Sequence, residues 1–84
     1  MRVTKIKLGR SSQNMKEILQ NRVYKFRTKI GITQEQLAEA VGVTRQTIIA
    51  IEKGNYTPSV TLAIKLAKVF KAEIKNVFKI KYER

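Results

Sequence analysis

Between Gln34 and Lys53 the chain reads QEQLAEAVGVTRQTIIAIEK, which has room for two short helices and almost none for a connection. Thr33 supplies an N-cap, Gln36 three residues later completes a capping box, and Leu37, Ala38 and Val41 fall on one helical face. Gly42 ends this helix by accepting a positive φ, and a single residue, Val43, separates it from Thr44, the next N-cap. So tight a turn sets the second helix against the first, and its inward face follows. Ile48 and Ile51, three apart, turn toward Leu37, Val41 and Val43, and Ala38 is small enough to let the helices approach closely. On the opposite side stand Arg45, Gln46, Ile49, Ala50 and Lys53.

The remaining sequence surrounds this unit with one small domain. Residues 1–13 form a basic arm in which Thr4, Ile6 and Leu8 alternate with Lys5 and Lys7, the period of a strand. In NMKEILQNRVYKFRTKI, spacings of three and four link Met15, Ile18, Leu19, Val23, Phe26 and Ile30 into a helical stripe. Asn14 with Glu17 suits a capping box at its start, and Asn21 offers a second start. Met15 also offers an internal initiation site, which would make the arm dispensable. Gly31 closes this first helix. Pro58 opens a fourth helix over 59–70, EIKNVF gives a short last helix, and FKIKYER alternates Phe78, Ile80 and Tyr82 with Lys79, Lys81 and Glu83 as a terminal strand. The expected organisation is therefore an arm (1–13), an all-α helix-turn-helix domain (14–78) and a strand-like tail (79–84).

Composition narrows the chemistry. The 84 residues include neither Cys nor His, which removes thiolate nucleophiles, disulfides, Cys/His metal sites and the commonest general base. No enzyme, cofactor or metal is expected. Lys and Arg outnumber Asp and Glu by 18 to 6, a formal charge of +12 that favours polyanions, nucleic acid first. No apolar run approaches the ~20 residues that span a bilayer, and the first residues lack the apolar core of a secretion signal, so a cytoplasmic, nucleoid-associated protein without membrane contact is expected.

The polar face of the second short helix suits a major groove. Arg bonds guanine O6 and N7 bidentately, Gln does the same to adenine N6 and N7, and apolar side chains meet thymine methyls. The window TQEQLAEAVGVTRQTIIAIEKGNYTPS resembles the Cro and phage-repressor type of DNA-binding domain, the XRE family, over about residues 21–78. Thr33-Gln34, Leu37-Ala38, Val41-Gly42-Val43, Ile48, Ile51-Glu52 and Gly54 carry the resemblance.

The resemblance implies a lambda-repressor-like bundle of five helices, with 44–53 as the recognition helix. It implies base contacts from Thr44, Arg45, Gln46, Ile49 and Ala50. It also implies phosphate contacts from Thr33, Gln34, Lys53, Asn55, Tyr56 and Thr57, and a structural ion pair between Arg27 and Glu52. Three positions depart from the family pattern. Ile49 stands where a small or polar residue is common, with a thymine methyl, a packing role and a protein contact all open to it. Lys71 stands where Gly often ends the fourth helix, and Glu73 where Ser or Thr often caps the fifth; both suggest a less sharply defined turn there.

Lys65, Lys68, Lys71 and Lys75 read as a solvated face, and Tyr24, Phe26, Phe70 and Phe78 as core or interface aromatics. Three fates of the arm stay open: contact with DNA, strand pairing with residues 78–82, or disorder. The function expected is sequence-specific binding of double-stranded DNA by a homodimeric transcriptional regulator, most simply a repressor. An antitoxin or adaptor that binds a protein partner as well as its own operator is the alternative, followed by a charge-driven, non-specific nucleic-acid binder.

Overall fold

The computed structural model describes residues 16–83, so the arm at 1–13, with its expected strand, lies outside the described residues. The element order is β1 (Lys16–Asn21), α1 (Val23–Ile30), α2 (Gln34–Val41), α3 (Arg45–Glu52), α4 (Val60–Phe70), α5 (Ile74–Val77) and β2 (Phe78–Glu83). This is the five-helix architecture expected, with strands at both ends. One boundary is corrected: residues 16–21, read as the first turns of helix one, are a strand that pairs antiparallel with β2, Lys16 opposite Glu83 through Asn21 opposite Phe78. The spacing of Ile18 and Leu19 fits either period, and short apolar runs leave that choice to tertiary partners. Here the alternating FKIKYE of β2 supplies the partner.

The helix begins instead at Val23, close to the second start. The Asn21 Oδ1 accepts from the Val23 N–H at 3.0 Å, an Asx-type turn that meets one orphan donor of the first turn. The Arg22 N–H donates to the Val77 carbonyl at 2.8 Å and extends the ladder to the mouth of the bundle.

α4 is the most apolar element and packs against α1, α2 and α5. Leu62, Ala63, Leu66, Ala67 and Phe70 on its inner face are buried, and with Val23, Leu37, Ala38, Val41, Ile48, Ile51 and Val77 they build the core. Phe26 of α1 stacks on Phe70 at 5.4 Å between centroids. Tyr24, by contrast, is largely exposed, with the Arg27 guanidinium 5.4 Å from its ring centre. Ser59, not Pro58, is the N-cap of α4, its hydroxyl accepting from the Leu62 N–H at 3.1 Å, and Pro58 stands one residue before it.

The α4–α5 turn is sharper than Lys71 and Glu73 suggest. Lys71 adopts the left-handed conformation, φ 54° and ψ 43°, without the glycine that usually takes it. Its N–H donates to the Lys68 carbonyl at 3.1 Å and the Ala72 N–H to the Ala67 carbonyl at 3.0 Å, the bonding of a Schellman end. Phe70 and Val77, buried on either side, hold it there. No helix among the described residues is long and apolar enough to cross a membrane.

Candidate nucleic-acid interface

The α2–turn–α3 unit is fixed from both ends. The Thr33 Oγ1 accepts from the Gln36 N–H at 3.0 Å and the Gln36 Oε1 accepts from the Thr33 N–H at 2.9 Å, so both halves of the capping box are made. At the other end Gly42 turns left-handed, φ 76° and ψ 33°. The Val43 N–H then donates to the Ala38 carbonyl at 3.0 Å. Thr44 is extended and accepts from the Thr47 N–H at 3.3 Å, which starts α3 at Arg45. Ile48 and Ile51 are 0% exposed, as are Leu37 beneath them and Val23 of α1. With that face closed, the rotation of α3 is settled.

Thr44, Arg45, Gln46 and Lys53 are exposed, whereas Ile49 and Ala50 are half-buried. Ile49 therefore presents only part of its side chain outward. Arg45 occupies the first turn of α3 and lines one open depression with Arg27, Thr33, Gln34 and Glu35. The structure thus brings an expected base reader, Arg45, beside two expected phosphate contacts, Thr33 and Gln34, at the N-terminus of α2. The loop after α3 holds Asn55, Tyr56 and Thr57, all exposed, with the Asn55 N–H bonded to the Ala50 carbonyl at 2.9 Å.

Behind this surface, Arg27 and Glu52 form the expected ion pair. The Arg27 Nε donates to the Glu52 Oε2 at 2.7 Å and its Nη2 to Oε1 at 3.2 Å, the bidentate fork of strong Arg–carboxylate pairs. A third guanidinium donor, Nη1, reaches the Ile32 carbonyl at 2.9 Å. The side chains are only 11% and 7% exposed, so this is a partly buried pair that solvent screens less than a surface one. The hydrogen bonds to Glu52 are the main reason the Arg27 pKa is raised above its ordinary value; burial opposes them.

Two contacts were not legible as functional in the sequence. The Gln34 Nε2 donates to the Glu52 Oε1 at 3.0 Å, so its carboxamide is oriented from behind. The groups of Gln34 that can meet an anion are its backbone N–H, at a helix N-terminus, and its second amide hydrogen. The other contact is Asn21, whose Nδ2 donates to the Ile51 carbonyl at 2.9 Å and so joins the end of the ribbon to the last turn of α3. Its one signal in the sequence is an Asn just before a helix, a common turn former. Among the described residues, no group of three or more His, Cys, Asp or Glu side chains could hold a metal ion.

Comparison with known proteins agrees with this geometry. Residues 23–75 match the family model described as Helix-turn-helix. An uncharacterised HTH-type transcriptional regulator of Archaeoglobus fulgidus is 52% identical over 60 residues, 71% of this chain and 86% of that protein. YgzD of Bacillus subtilis, also an uncharacterised HTH-type transcriptional regulator, is 48% identical over 65 residues, 77% of this chain and 98% of that one. Among solved structures, the restriction-modification controller protein C.AhdI of Aeromonas hydrophila superposes with a TM-score of 0.62 at 31% identity, over 66% of this chain and 80% of its own. With the fold, the capped turn and the exposed α3 face in agreement, the chain belongs to the XRE-type helix-turn-helix family of DNA-binding transcriptional regulators.

Proposed function

We propose that this chain is a sequence-specific, homodimeric regulator that represses transcription by occupying a near-palindromic operator in the cytoplasm. α3 lies in the major groove, Arg45 and Gln46 bond base edges, and Thr44, Ile49 and Ala50 complete the reading surface. Thr33, Gln34, Lys53, Asn55, Tyr56 and Thr57 hold the flanking phosphates and set register. The observation that carries this reading is the division of α3. Ile48 and Ile51 are fully enclosed, while Arg45 and Gln46, at the N-terminal end from which such helices contact bases, are exposed.

Selection from a random duplex library at two salt concentrations tests it, with enrichment of a two-fold-symmetric motif as the expected result. Recovery of random sequence would leave only charge-driven binding, for which the +12 charge suffices. Replacing Arg45 with Ala should then cost about 1–3 kcal/mol on the selected site and relax preference at one position of each half-site. A loss equal on every duplex would make Arg45 a phosphate contact.

A further inference from the structure

Exposed apolar side chains stand on α4 and α5, at Val60, Ile64 and Ile74, and on the terminal ribbon, where they lie beside an open strand edge. Opposed residues of antiparallel strands share a face, so Leu19 and Ile80, Glu17 and Tyr82, and Asn21 and Phe78 lie on one side. Phe78 packs against the core, whereas Ile80 and Tyr82 remain 56% and 45% exposed. Lys79, Lys81 and Glu83 occupy the other side, the Lys81 Nζ 3.7 Å from the Glu83 Oε2.

The backbone has a direction as well. The Arg22 N–H to Val77 carbonyl bond marks residues 22 and 77 as a hydrogen-bonded pair of the ladder. Such pairs alternate, so Lys79, Lys81 and Glu83 direct their N–H and C=O groups at β1, and Phe78, Ile80 and Tyr82 direct theirs outward. Among the described residues the sheet has two strands. The Phe78 N–H is taken by the Ile74 carbonyl, so the open part of the outer edge of β2, among the described residues, is formed by the donors and acceptors of Ile80 and Tyr82, whose side chains line the apolar face.

We propose that a second copy of this chain pairs along that edge, β2 against β2 about a two-fold axis normal to the ribbon, with Ile80 of each copy opposite Tyr82 of the other. This inference rests on the homodimer reading above and names its surface. An axis normal to the sheet keeps like faces on the same side, which limits the pairing to registers centred on a residue. Centring on Ile80 would oppose Lys79 to Lys81 twice, and centring on Tyr82 would engage only residues 81–83 of the described strand. Centring on Lys81 engages 79–83, opposes Lys79 to Glu83 twice and Ile80 to Tyr82 twice, and leaves one like-charged pair at the axis, where each Lys81 has Glu83 of its own strand nearby. The open edge of β1 offers no such match: centred on Leu19, it opposes Glu17 to Asn21 and Ile18 to Gln20. The product is a continuous four-stranded sheet in place of two ribbons, each of a kind marginally stable alone.

Sedimentation of the full chain over a range of concentrations, with and without the selected duplex, tests this. Ile80→Pro removes an outward N–H and leaves the ladder to β1 intact, a substitution edge strands tolerate. It should raise the dimer dissociation constant at least about tenfold, about 1.4 kcal/mol, with the helical signal and thermal midpoint retained. Lys81→Thr removes the like-charged pair and should tighten the dimer severalfold. A wild-type dimer that Ile80→Pro leaves as tight overturns the ribbon surface and spares the homodimer reading. A wild type that is monomeric at every concentration and on DNA overturns both. Should Ile80→Pro fail to fold, Lys81→Thr decides: tightening supports the pairing, and an unchanged or weakened dimer overturns it.

Discussion

The α2–α3 and α4–α5 turns share one hydrogen-bond pattern and differ in how they reach it. Both close with an N–H five residues after its acceptor carbonyl, Val43 to Ala38 and Ala72 to Ala67, each at 3.0 Å. Gly42 takes the left-handed position in the first and Lys71 in the second. Thr44 then caps α3 with its hydroxyl, whereas Glu73 makes no side-chain cap to α5. α3 runs for 8 residues and α5 for 4. Local sequence specifies the turn that aims the reading helix; packing of Phe70 and Val77 specifies the one that does not. Where orientation carries function, the local and tertiary preferences coincide.

The contrast can be broken most severely from beneath. Ile48→Ala empties a fully enclosed site against Leu37 and should cost about 2–5 kcal/mol, read as a lowered denaturation midpoint with DNA binding lost in proportion to unfolding. A loss under about 1 kcal/mol would mean that the cap and turn, rather than the core, hold α3. At the turns themselves the two left-handed positions should respond with opposite signs. Gly42→Ala should destabilise by about 1–2 kcal/mol through backbone strain alone, since its Cβ would meet nothing within 4 Å. Lys71→Gly relieves the same strain and should stabilise by a few tenths to about 1 kcal/mol in thermal unfolding. The caps give the smallest difference: Thr44→Ala should cost about 1 kcal/mol, while Glu73→Ser should add about 0.5 kcal/mol by supplying the missing acceptor. Equal responses at the two turns would show that packing governs both.

Most of the reading unit was legible because its signals are local. Thr33 with Gln36, Gly42, Thr44 and the Ile48/Ile51 spacing act within a few residues of themselves, and each behaves as its side chain dictates. The error at 16–21 has the opposite character: Ile18 and Leu19 satisfy a helical spacing, and only a partner about sixty residues away, β2, makes them a strand. The position of Gln34 at a helix N-terminus says nothing of the Glu52 carboxylate behind it, 18 residues on. Lys71 takes the left-handed position against its local preference because the advantage of Gly there is only about 1–2 kcal/mol, which buried neighbours override.

Asn21 gives the ribbon a mechanical meaning. One carboxamide grips the start of α1 through Val23 and the end of α3 through Ile51, so the ribbon and the reading helix are riveted at a single point. In a dimer joined through β2, this rivet would turn strand register into a caliper for the operator. A two-residue slip moves one protomer along the strands by roughly 7 Å, and half-sites centred ~10 base pairs, or ~34 Å, apart would register it. The spacing of the operator would then be written in the order of Lys79 to Glu83 as much as in the residues that touch bases.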